Sequence, residues 1–176
     1  MPQIQVMKVK ICLVGEGAVG KTSLTRRFVY DEFDDRYITT LGAKVSKKDI
    51  MVREQDGSRV KVKMTVWDIM GQKSFLDIMK EAFFFGAQGV LAVCDVTRRE
   101  TLSDLHDWVA SVHKVTGEIP IHFLANKVDL KDQITFDKSE LAEVAAEYDS
   151  PYAYTSARTG ENVQEAFDNL AKMIVG

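Results

Sequence analysis

The sequence is poor in cysteine and has no long apolar segment, and both absences restrict the class of protein. Only Cys12 and Cys94 occur among its 176 residues, each within an apolar run. Such positions indicate buried thiols in a reducing compartment, with a disulfide or a metal pair as the alternative. No apolar run reaches membrane-spanning length and no signal peptide opens the chain, so we expect a cytoplasmic protein.

An excess of positive charge is also missing. The formal net charge is −3 and the pI about 5.7, which indicates neither a general nucleic-acid-binding protein nor a strongly basic membrane-binding surface. The start of the chain lacks the glycine required for myristoylation, and its end lacks a cysteine for prenylation. We therefore expect no lipid anchor in this chain, so membrane association would require partners or a tail beyond this sequence.

The order of apolar segments predicts a single domain over residues 1–176. A chain of this length, with 45% hydrophobic residues, can bury a full core. Strand-like and helix-like runs alternate, which predicts an α/β fold with a mostly parallel sheet and helices on both faces. We expect six strands, one of them antiparallel, and a monomer.

The element boundaries follow from apolar spacing and from turn residues. Strands are predicted over 6–14, 44–53, 59–67, 89–95, 119–125 and 151–155. Asp56-Gly57 is a hairpin signal, so the second and third strands should be antiparallel. Helices are predicted from Thr22, over 101–115, after a capping box formed by Asp137 and Glu140, and along the apolar stripe that begins at Val163.

A glycine-rich segment after the first strand carries phosphate-binding chemistry. The run Gly15-Glu16-Gly17-Ala18-Val19-Gly20-Lys21-Thr22 matches the P-loop pattern in full. Its glycines allow backbone N–H groups to converge on phosphates, and the following helix start adds partial positive charge. Lys21 should bridge the β- and γ-phosphates, and the Thr22 hydroxyl should ligate Mg²⁺. Asp68, at the end of an apolar strand, can hold the same metal through water.

Two later segments have the chemistry to read a purine base. Asn126-Lys127-Val128-Asp129 follows a buried strand, and Thr155-Ser156-Ala157 follows the last one. The Asp129 carboxylate can accept hydrogen bonds from N1–H and the exocyclic amine of guanine, whereas adenine presents a lone pair at N1. Because a site built on such polar partners discriminates about 10⁴-fold or more, Asp129 favours guanine over adenine.

With Thr40-Leu41-Gly42 and Asp68-Ile69-Met70-Gly71-Gln72 added, the five segments resemble the Ras superfamily of small GTPases, nearest to its Rab and Ran branches. The resemblance covers essentially the whole chain and implies a P-loop NTPase fold, the Ras-like G domain. It implies a molecular switch that binds GTP and GDP with Mg²⁺ and slowly hydrolyses GTP. The alternatives are a GTP/GDP-binding scaffold with little hydrolysis, and a P-loop ATPase or small-molecule kinase, which Asp129 opposes.

The resemblance also implies roles for individual residues. Thr40 would ligate Mg²⁺ and meet the γ-phosphate, Gly71 would donate its N–H to that phosphate, and Gln72 would orient the attacking water. Lys21, Thr40 and Gln72 would then be the catalytic residues. The implied nucleotide-binding set is Gly15, Gly17, Ala18, Val19, Gly20, Lys21, Thr22, Ser23, Phe33, Thr40, Gly71, Asn126, Lys127, Asp129, Ser156, Ala157 and Arg158. Within this set, Phe33 would stack near guanine, although as a lone residue it favours a core position.

Some residues depart from the family pattern. Arg158 stands where lysine is more usual, and its aliphatic stem could still pack over the nucleotide. Ile69-Met70 replaces the usual threonine and alanine. Met70 is either a packing variant, since methionine fills irregular gaps, or it alters the placement of Gln72 and slows turnover. Equal single-turnover GTP hydrolysis by the native protein and Met70→Ala would reject the second interpretation.

Partners are implied by the same resemblance. Effector, exchange-factor and activating proteins would contact the residues around Thr40 and the segment 72–78, where Phe75, Leu76 and Ile78 are either core or an apolar partner surface. Arg36 lies one position away from where a built-in catalytic arginine would be expected, and we expect it to face solvent. Hydrolysis should therefore be slow unless a partner supplies an arginine.

Overall fold

A computed structural model describes residues 4–34, 36, 40 and 42–176, with only the backbone at Phe75. The strands are β1 (Gln5–Val14), β2 (Ala43–Arg53), β3 (Arg59–Ile69), β4 (Gly89–Asp95), β5 (Ile121–Asn126) and β6 (Tyr152–Thr155). The α-helices are α1 (Lys21–Tyr30), α2 (Lys73–Phe84), α3 (Glu100–Ser103), α4 (Leu105–Thr116), α5 (Lys138–Glu147) and α6 (Val163–Val175). A short 3₁₀ turn covers Lys131–Gln133.

The strands form one sheet in the order β2-β3-β1-β4-β5-β6. Among the strands that the structure describes, only the β2–β3 pair is antiparallel and the other neighbours pair in parallel, so the predicted fold class is confirmed. One face of the sheet packs against α1 and α6, and the other packs against α2, α4 and α5. Since both faces of β4 are covered, all seven of its residues are buried, as its continuous apolar sequence predicts.

Local signals predicted the turns and caps well. The hairpin at Asp56-Gly57 joins β2 to β3, and Gly57 adopts a positive φ of 87° that suits glycine. The capping box is present as well: the Asp137 carboxylate accepts from the Glu140 N–H at 3.2 Å, and the Glu140 carboxylate accepts from the Asp137 N–H at 3.1 Å. Both features depend only on adjacent residues, which explains their success.

Two predicted element boundaries were wrong. The single helix predicted over 101–115 is two helices that meet at Asp104, whose carbonyl accepts from the N–H groups of both Asp107 and Trp108. This tightened turn exposes the Asp104 carboxylate to Lys73 of α2, at 3.0 Å. Strand β3 also continues past the predicted end at Trp67, because it pairs with β2 as far as Ile69.

The two thiols are buried and unpaired, as expected. Cys12 and Cys94 are both fully enclosed, and burial raises the pKa of each thiol to about 12. Because the thiolate is the reactive form, we predict that both react with a disulfide reagent at pH 8 about a thousandfold more slowly than an ordinary cysteine. Full reactivity should appear only in guanidinium. Rapid labelling of one thiol in the folded protein would contradict this enclosed arrangement.

Candidate functional site

The loops that follow β1, β3, β5 and β6 meet at the carboxyl edge of the sheet and surround a cavity of about 300 Å³. Most residues of the sequence-predicted nucleotide site line this cavity: Gly17, Ala18, Gly20, Lys21, Thr22, Ser23, Phe33, Thr40, Gly71, Gln72, Asn126, Lys127, Asp129, Ala157 and Arg158. The fold therefore brings together segments that lie as far apart as 17 and 158 in the sequence.

Four predicted residues lie behind the cavity wall instead of lining it. Gly15, Val19, Asp68 and Ser156 are buried, and the Asp68 carboxylate accepts a hydrogen bond from the Thr22 hydroxyl. Their backbone or side-chain groups still contact residues that do line the cavity. Three further lining residues, Arg26, Asp34 and Leu130, were not predicted, and a fourth, Arg36, was expected only to face solvent.

Lys21 lies at the base of the glycine-rich loop. Its ammonium donates hydrogen bonds to the carbonyl oxygens of Gly15, at 2.8 Å, and Glu16, at 2.9 Å. The side chain is buried, and burial lowers the pKa of Lys21 to about 8. An anionic group in the cavity would favour the charged form again, so this lysine is suited to a phosphate.

Three oxygen-bearing side chains converge beside Lys21. The Thr22 hydroxyl donates to the Asp68 carboxylate and lies 2.9 Å from the Thr40 hydroxyl, which is 3.4 Å from the same carboxylate oxygen. The other Asp68 oxygen is buried and has no partner among the described residues. Burial raises the pKa of Asp68 despite its hydrogen bonds. An oxygen-only set with an unpaired carboxylate oxygen fits Mg²⁺, which would stabilise the ionised form.

The segment that is predicted to read the base, Asn126 to Asp129, is bonded directly to the glycine-rich loop. Asn126 donates its side-chain amide to the Val19 carbonyl at 3.0 Å, and Lys127 donates to the Ala18 carbonyl at 2.8 Å. Gly20 has a φ of 105°, and a Cβ at this position would lie 2.2 Å from the Asn126 amide nitrogen. Glycine is thus required at residue 20 both by the backbone conformation and by the close approach of Asn126.

Asp129 is held in position at the other end of the cavity. Its carboxylate accepts a hydrogen bond from the buried Ser156 hydroxyl at 2.8 Å, and that hydroxyl in turn accepts from the Thr159 N–H. The Asn126 side-chain oxygen accepts from the Thr155 hydroxyl and from the Ala157 N–H, at 3.0 and 3.3 Å. The two segments therefore form one bonded platform against the cavity.

Arg27 also supports this platform, although no sequence pattern singled it out. From α1 its guanidinium donates to the carbonyls of Ala157, at 2.8 Å, and Arg158, at 2.7 Å, and it pairs with Asp31 at 3.0 Å. The arginine thus holds the loop after β6 against the first helix. Only the three-dimensional structure reveals this contact, because residues 27 and 157 are distant in the chain.

We predict that Arg27→Ala accelerates nucleotide dissociation. Loss of charge-assisted hydrogen bonds worth roughly 1.5–3 kcal/mol each should loosen the Ala157-Arg158 turn, so we expect about a tenfold faster release of a fluorescent GDP analogue in stopped-flow. Arg99→Ala is the matched control, because Arg99 pairs with the distant Glu140. Equal release rates for Arg27→Ala and Arg99→Ala would reject this supporting role.

Asp95 and Arg98 form a second support that the sequence did not suggest. Burial alone would raise the pKa of Asp95, but hydrogen bonds from Lys127 and Thr97 hold it below its ordinary value. Lys127 lies 2.8 Å from this carboxylate. Arg98 contacts the same carboxylate at 3.3 Å and donates to the Gly17 carbonyl at 2.7 Å. The loop after β4 therefore connects Lys127, at one end of the cavity, to Gly17 in the glycine-rich loop.

The segment from Met70 to Lys73 closes the end of the cavity that lies beside the glycine-rich loop. The Gly71 carbonyl accepts from the Gly17 N–H at 3.2 Å, and the exposed Gln72 precedes the first turn of α2. Met70 is buried in the core, and its N–H donates to the Gly42 carbonyl at 2.8 Å. This burial agrees with Met70 as a packing residue, while its effect on turnover stays a prediction.

The mouth of the cavity contains Phe33, Asp34 and Arg36. Phe33 is 37% exposed and lines the cavity, so the core position favoured for it in isolation was wrong. Arg36 is exposed, as expected, and its guanidinium donates to the Asp34 carboxylate at 2.9–3.2 Å. These hydrogen bonds lower the pKa of Asp34 to about 2.

A comparison with protein families agrees with this arrangement. A family model described as "Ras family" matches residues 10–176, which includes every segment of the cavity. In the described part of the chain, no helix is both long and apolar enough to cross a membrane.

Similar proteins are found over almost the full chain. The Ras-related protein Rab-13 of Canis lupus familiaris is 33% identical over 94% of this chain and 79% of its own length. The Ras-related protein SEC4 of Saccharomyces cerevisiae is 35% identical over 94% of this chain and 74% of its own. Human Ras-related protein Rab-27B is 32% identical over 95% of this chain and 79% of its own.

Proposed function

This chain belongs to the Ras family of small GTPases, near the Rab branch, and we propose that the cavity at the carboxyl edge of its sheet is its guanine-nucleotide site. Like its relatives, the protein is a GTP-binding molecular switch that hydrolyses GTP. The observation that carries the proposal is the bonded continuity of the two ends, through Asn126 to Val19 and Lys127 to Ala18. One ligand with a base and a phosphate chain fits such a cavity.

At the phosphate end, Lys21 supplies a buried positive charge to the β- and γ-phosphates. Helix α1 begins at Lys21, so the partial positive charge of its N-terminus adds to that of the ammonium. Thr22 and Thr40 would hold Mg²⁺ directly, and Asp68 would hold it through water. Bound Mg²⁺ supplies charge neutralisation to the phosphates. Gln72, exposed beside Gly71, is the residue that orients the attacking water.

At the base end, Asp129 accepts from the Watson–Crick edge of guanine. The Ser156 hydroxyl occupies one carboxylate oxygen and fixes the plane of the carboxylate. The Ala157 N–H is available to guanine O6, in addition to its 3.3 Å contact with Asn126. Phe33 and the stem of Arg158 flank the base and sugar from the cavity mouth.

The switch follows from the two groups that contact the γ-phosphate and no other phosphate. Loss of that phosphate removes a partner from Thr40 and from Gly71, which lie in two different loops. Charge-assisted hydrogen bonds contribute roughly 1.5–3 kcal/mol each. Two of them plus a metal ligand approach the ~5.5 kcal/mol that moves a two-state element from 1:99 to 99:1.

Protein partners would bind these loops and distinguish their conformations. Of the apolar residues predicted near the second loop, Leu76 is buried and belongs to the core, whereas Ile78 is 77% exposed. Phe75 lies outside the described side chains. We therefore assign Ile78, with Met79, to the surface that effector, exchange-factor and activating proteins contact. We also propose a monomer in the cytoplasm that needs a partner's arginine for rapid hydrolysis.

The proposal is tested with purified, nucleotide-stripped protein in magnesium buffer. Calorimetry should detect tight binding of GDP and GTP, and single-turnover assays should detect slow phosphate release from GTP. A chelator should weaken binding, because the phosphates lose their Mg²⁺. Effective displacement of labelled GDP by ATP, or no heat with either guanine nucleotide, would overturn the assignment.

A further inference from the structure

One exposed face of the sheet carries a concentration of positive charge that the overall composition hides. On β1, β2 and β3, residues that alternate with the buried ones point away from α1 and α6. We call the outward basic residues at the strand ends remote from the nucleotide cavity the basic face: Lys8, Lys10, Lys47, Arg53, Arg59, Lys61 and Lys63. Asp49 is the one acidic residue among the outward positions of these three strands.

The charge of this face is opposite to that of the rest of the molecule. Its seven cations and one carboxylate give a formal charge of +6, whereas the whole chain has −3, so the remainder carries −9. Salt screens charges separated by more than about 10 Å at 0.1 M, so a large anion at this face experiences mainly the local positive charge. The net charge is therefore a poor guide to what this face can bind.

Most of these cations are not used inside the protein. Lys10 donates to the Phe85 carbonyl and lies 3.8 Å from the centre of the Trp67 ring, and Lys61 pairs with Asp49 at 3.5 Å. The other five make no ion pair within 4 Å among the residues the structure describes. Their charges are available to a partner.

Fold stability does not explain the arrangement. Lys8 and Lys63 lie directly opposite each other on paired strands, where like charges are destabilising. Lysines on an edge strand protect against aggregation, but β1 and β3 are interior strands of the sheet. Edge protection therefore accounts only for Lys47 and Arg53, which lie on the edge strand β2.

We propose that the basic face binds the surface of a membrane that contains anionic lipids. Lysine, the majority residue here, is depleted from protein–protein interfaces, whereas clusters of lysine and arginine bind anionic headgroups. Val6 and Met51 lie among the cations and are 52% and 47% exposed, so they can enter the headgroup region. Since the nucleotide cavity lies at the opposite ends of β1 and β3, this contact leaves the cavity open.

The test is co-sedimentation of the full chain, loaded with GDP, with large vesicles. We expect binding to vesicles of phosphatidylcholine mixed with phosphatidylserine, no binding to phosphatidylcholine alone, and loss of binding in 1 M salt, where the screening length is about 3 Å. Because each cation near an anionic surface contributes roughly fivefold, Lys8→Glu should weaken binding by about five- to thirtyfold. This variant should fold, since it places an opposite charge beside Lys63.

The control variant is Lys172→Glu, which changes the net charge equally but lies on the exposed side of α6, behind the other face of the sheet. It should bind vesicles like the native chain. Equal weakening by Lys8→Glu and Lys172→Glu, or no vesicle binding by the native chain in low salt, would overturn the proposal. Binding to poly-L-glutamate without vesicle binding would also overturn it, in favour of an acidic protein partner. None of these outcomes depends on GTP hydrolysis, so failure here leaves the proposed function intact.

Discussion

Gly71→Ala should reduce the single-turnover rate of GTP hydrolysis by about 10²–10³ and change GDP affinity by less than about threefold. A Cβ at residue 71 would lie 2.2 Å from the backbone nitrogen of Gly17 and 2.5 Å from its Cα, both of which are backbone atoms that cannot rotate away. The loop before α2 must then withdraw from the glycine-rich loop. The Gly71 N–H and the neighbouring Gln72 should withdraw with it, so the γ-phosphate would lose the contact proposed from this side.

The mechanism is steric, and a second glycine provides the control. Gly71 does not have a positive φ, so alanine can adopt its backbone conformation. The steric clash with Gly17 is then the main destabilising effect of the substitution. Gly57→Ala imposes strain at a φ of 87°, but a Cβ there meets open space in the remote hairpin. This variant should lose some stability and keep its hydrolysis rate. A rate for Gly71→Ala within twofold of the native rate would show that the contact with Gly17 is not needed for catalysis.

Asp129→Asn should lower the affinity for GDP and GTP by about 10³–10⁴ and raise the affinity for xanthine nucleotides. The asparagine amide retains an oxygen that can accept from the Ser156 hydroxyl, so the platform at the end of β6 is preserved. Its NH₂ group, however, faces the guanine amine as a second donor. Xanthine carries a carbonyl oxygen at that position, which can accept from the new amide.

Competition against a fluorescent guanine nucleotide measures both effects. Asp132→Asn serves as the control, because Asp132 is exposed in the neighbouring 3₁₀ turn and does not line the cavity. Its affinities should equal those of the native protein. If Asp129→Asn lost guanine nucleotides without any gain for xanthine nucleotides, Asp129 would act only by holding Ser156, and base recognition would have to lie elsewhere.

The parts of the fold that were predicted correctly are those governed by neighbouring residues. The glycine-rich loop, the Asp56-Gly57 turn and the Asp137 capping box each require specific residues at fixed offsets. Continuous apolar runs likewise predicted the fully buried β4. Boundaries set by pairing were less accurate, since the end of β3 depends on how far β2 remains beside it.

The supports of the site could not be read from the sequence. Arg27 reaches Ala157 across 130 positions, and Arg98 reaches Gly17 across 81. Before folding, either arginine is one of many exposed cations, and nothing local distinguishes it. The ion pair between Asp104 and Lys73 is equally hidden in the sequence, because it forms only once α2 packs beside α4.

We expect the hydrogen bonds from Asn126 to Val19 and from Lys127 to Ala18 to influence where nucleotide exchange begins. Both bonds connect one loop of the protein to another, so the two loops should remain bonded to each other after the ligand dissociates. We expect an exchange factor to displace the opposite wall of the cavity more easily, because Thr40 and Gly71 belong to separate loops there. Substitution of Asn126 should weaken binding of the phosphate groups as well as binding of the purine. Faster nucleotide dissociation from such variants would therefore not indicate a loss of base selectivity alone.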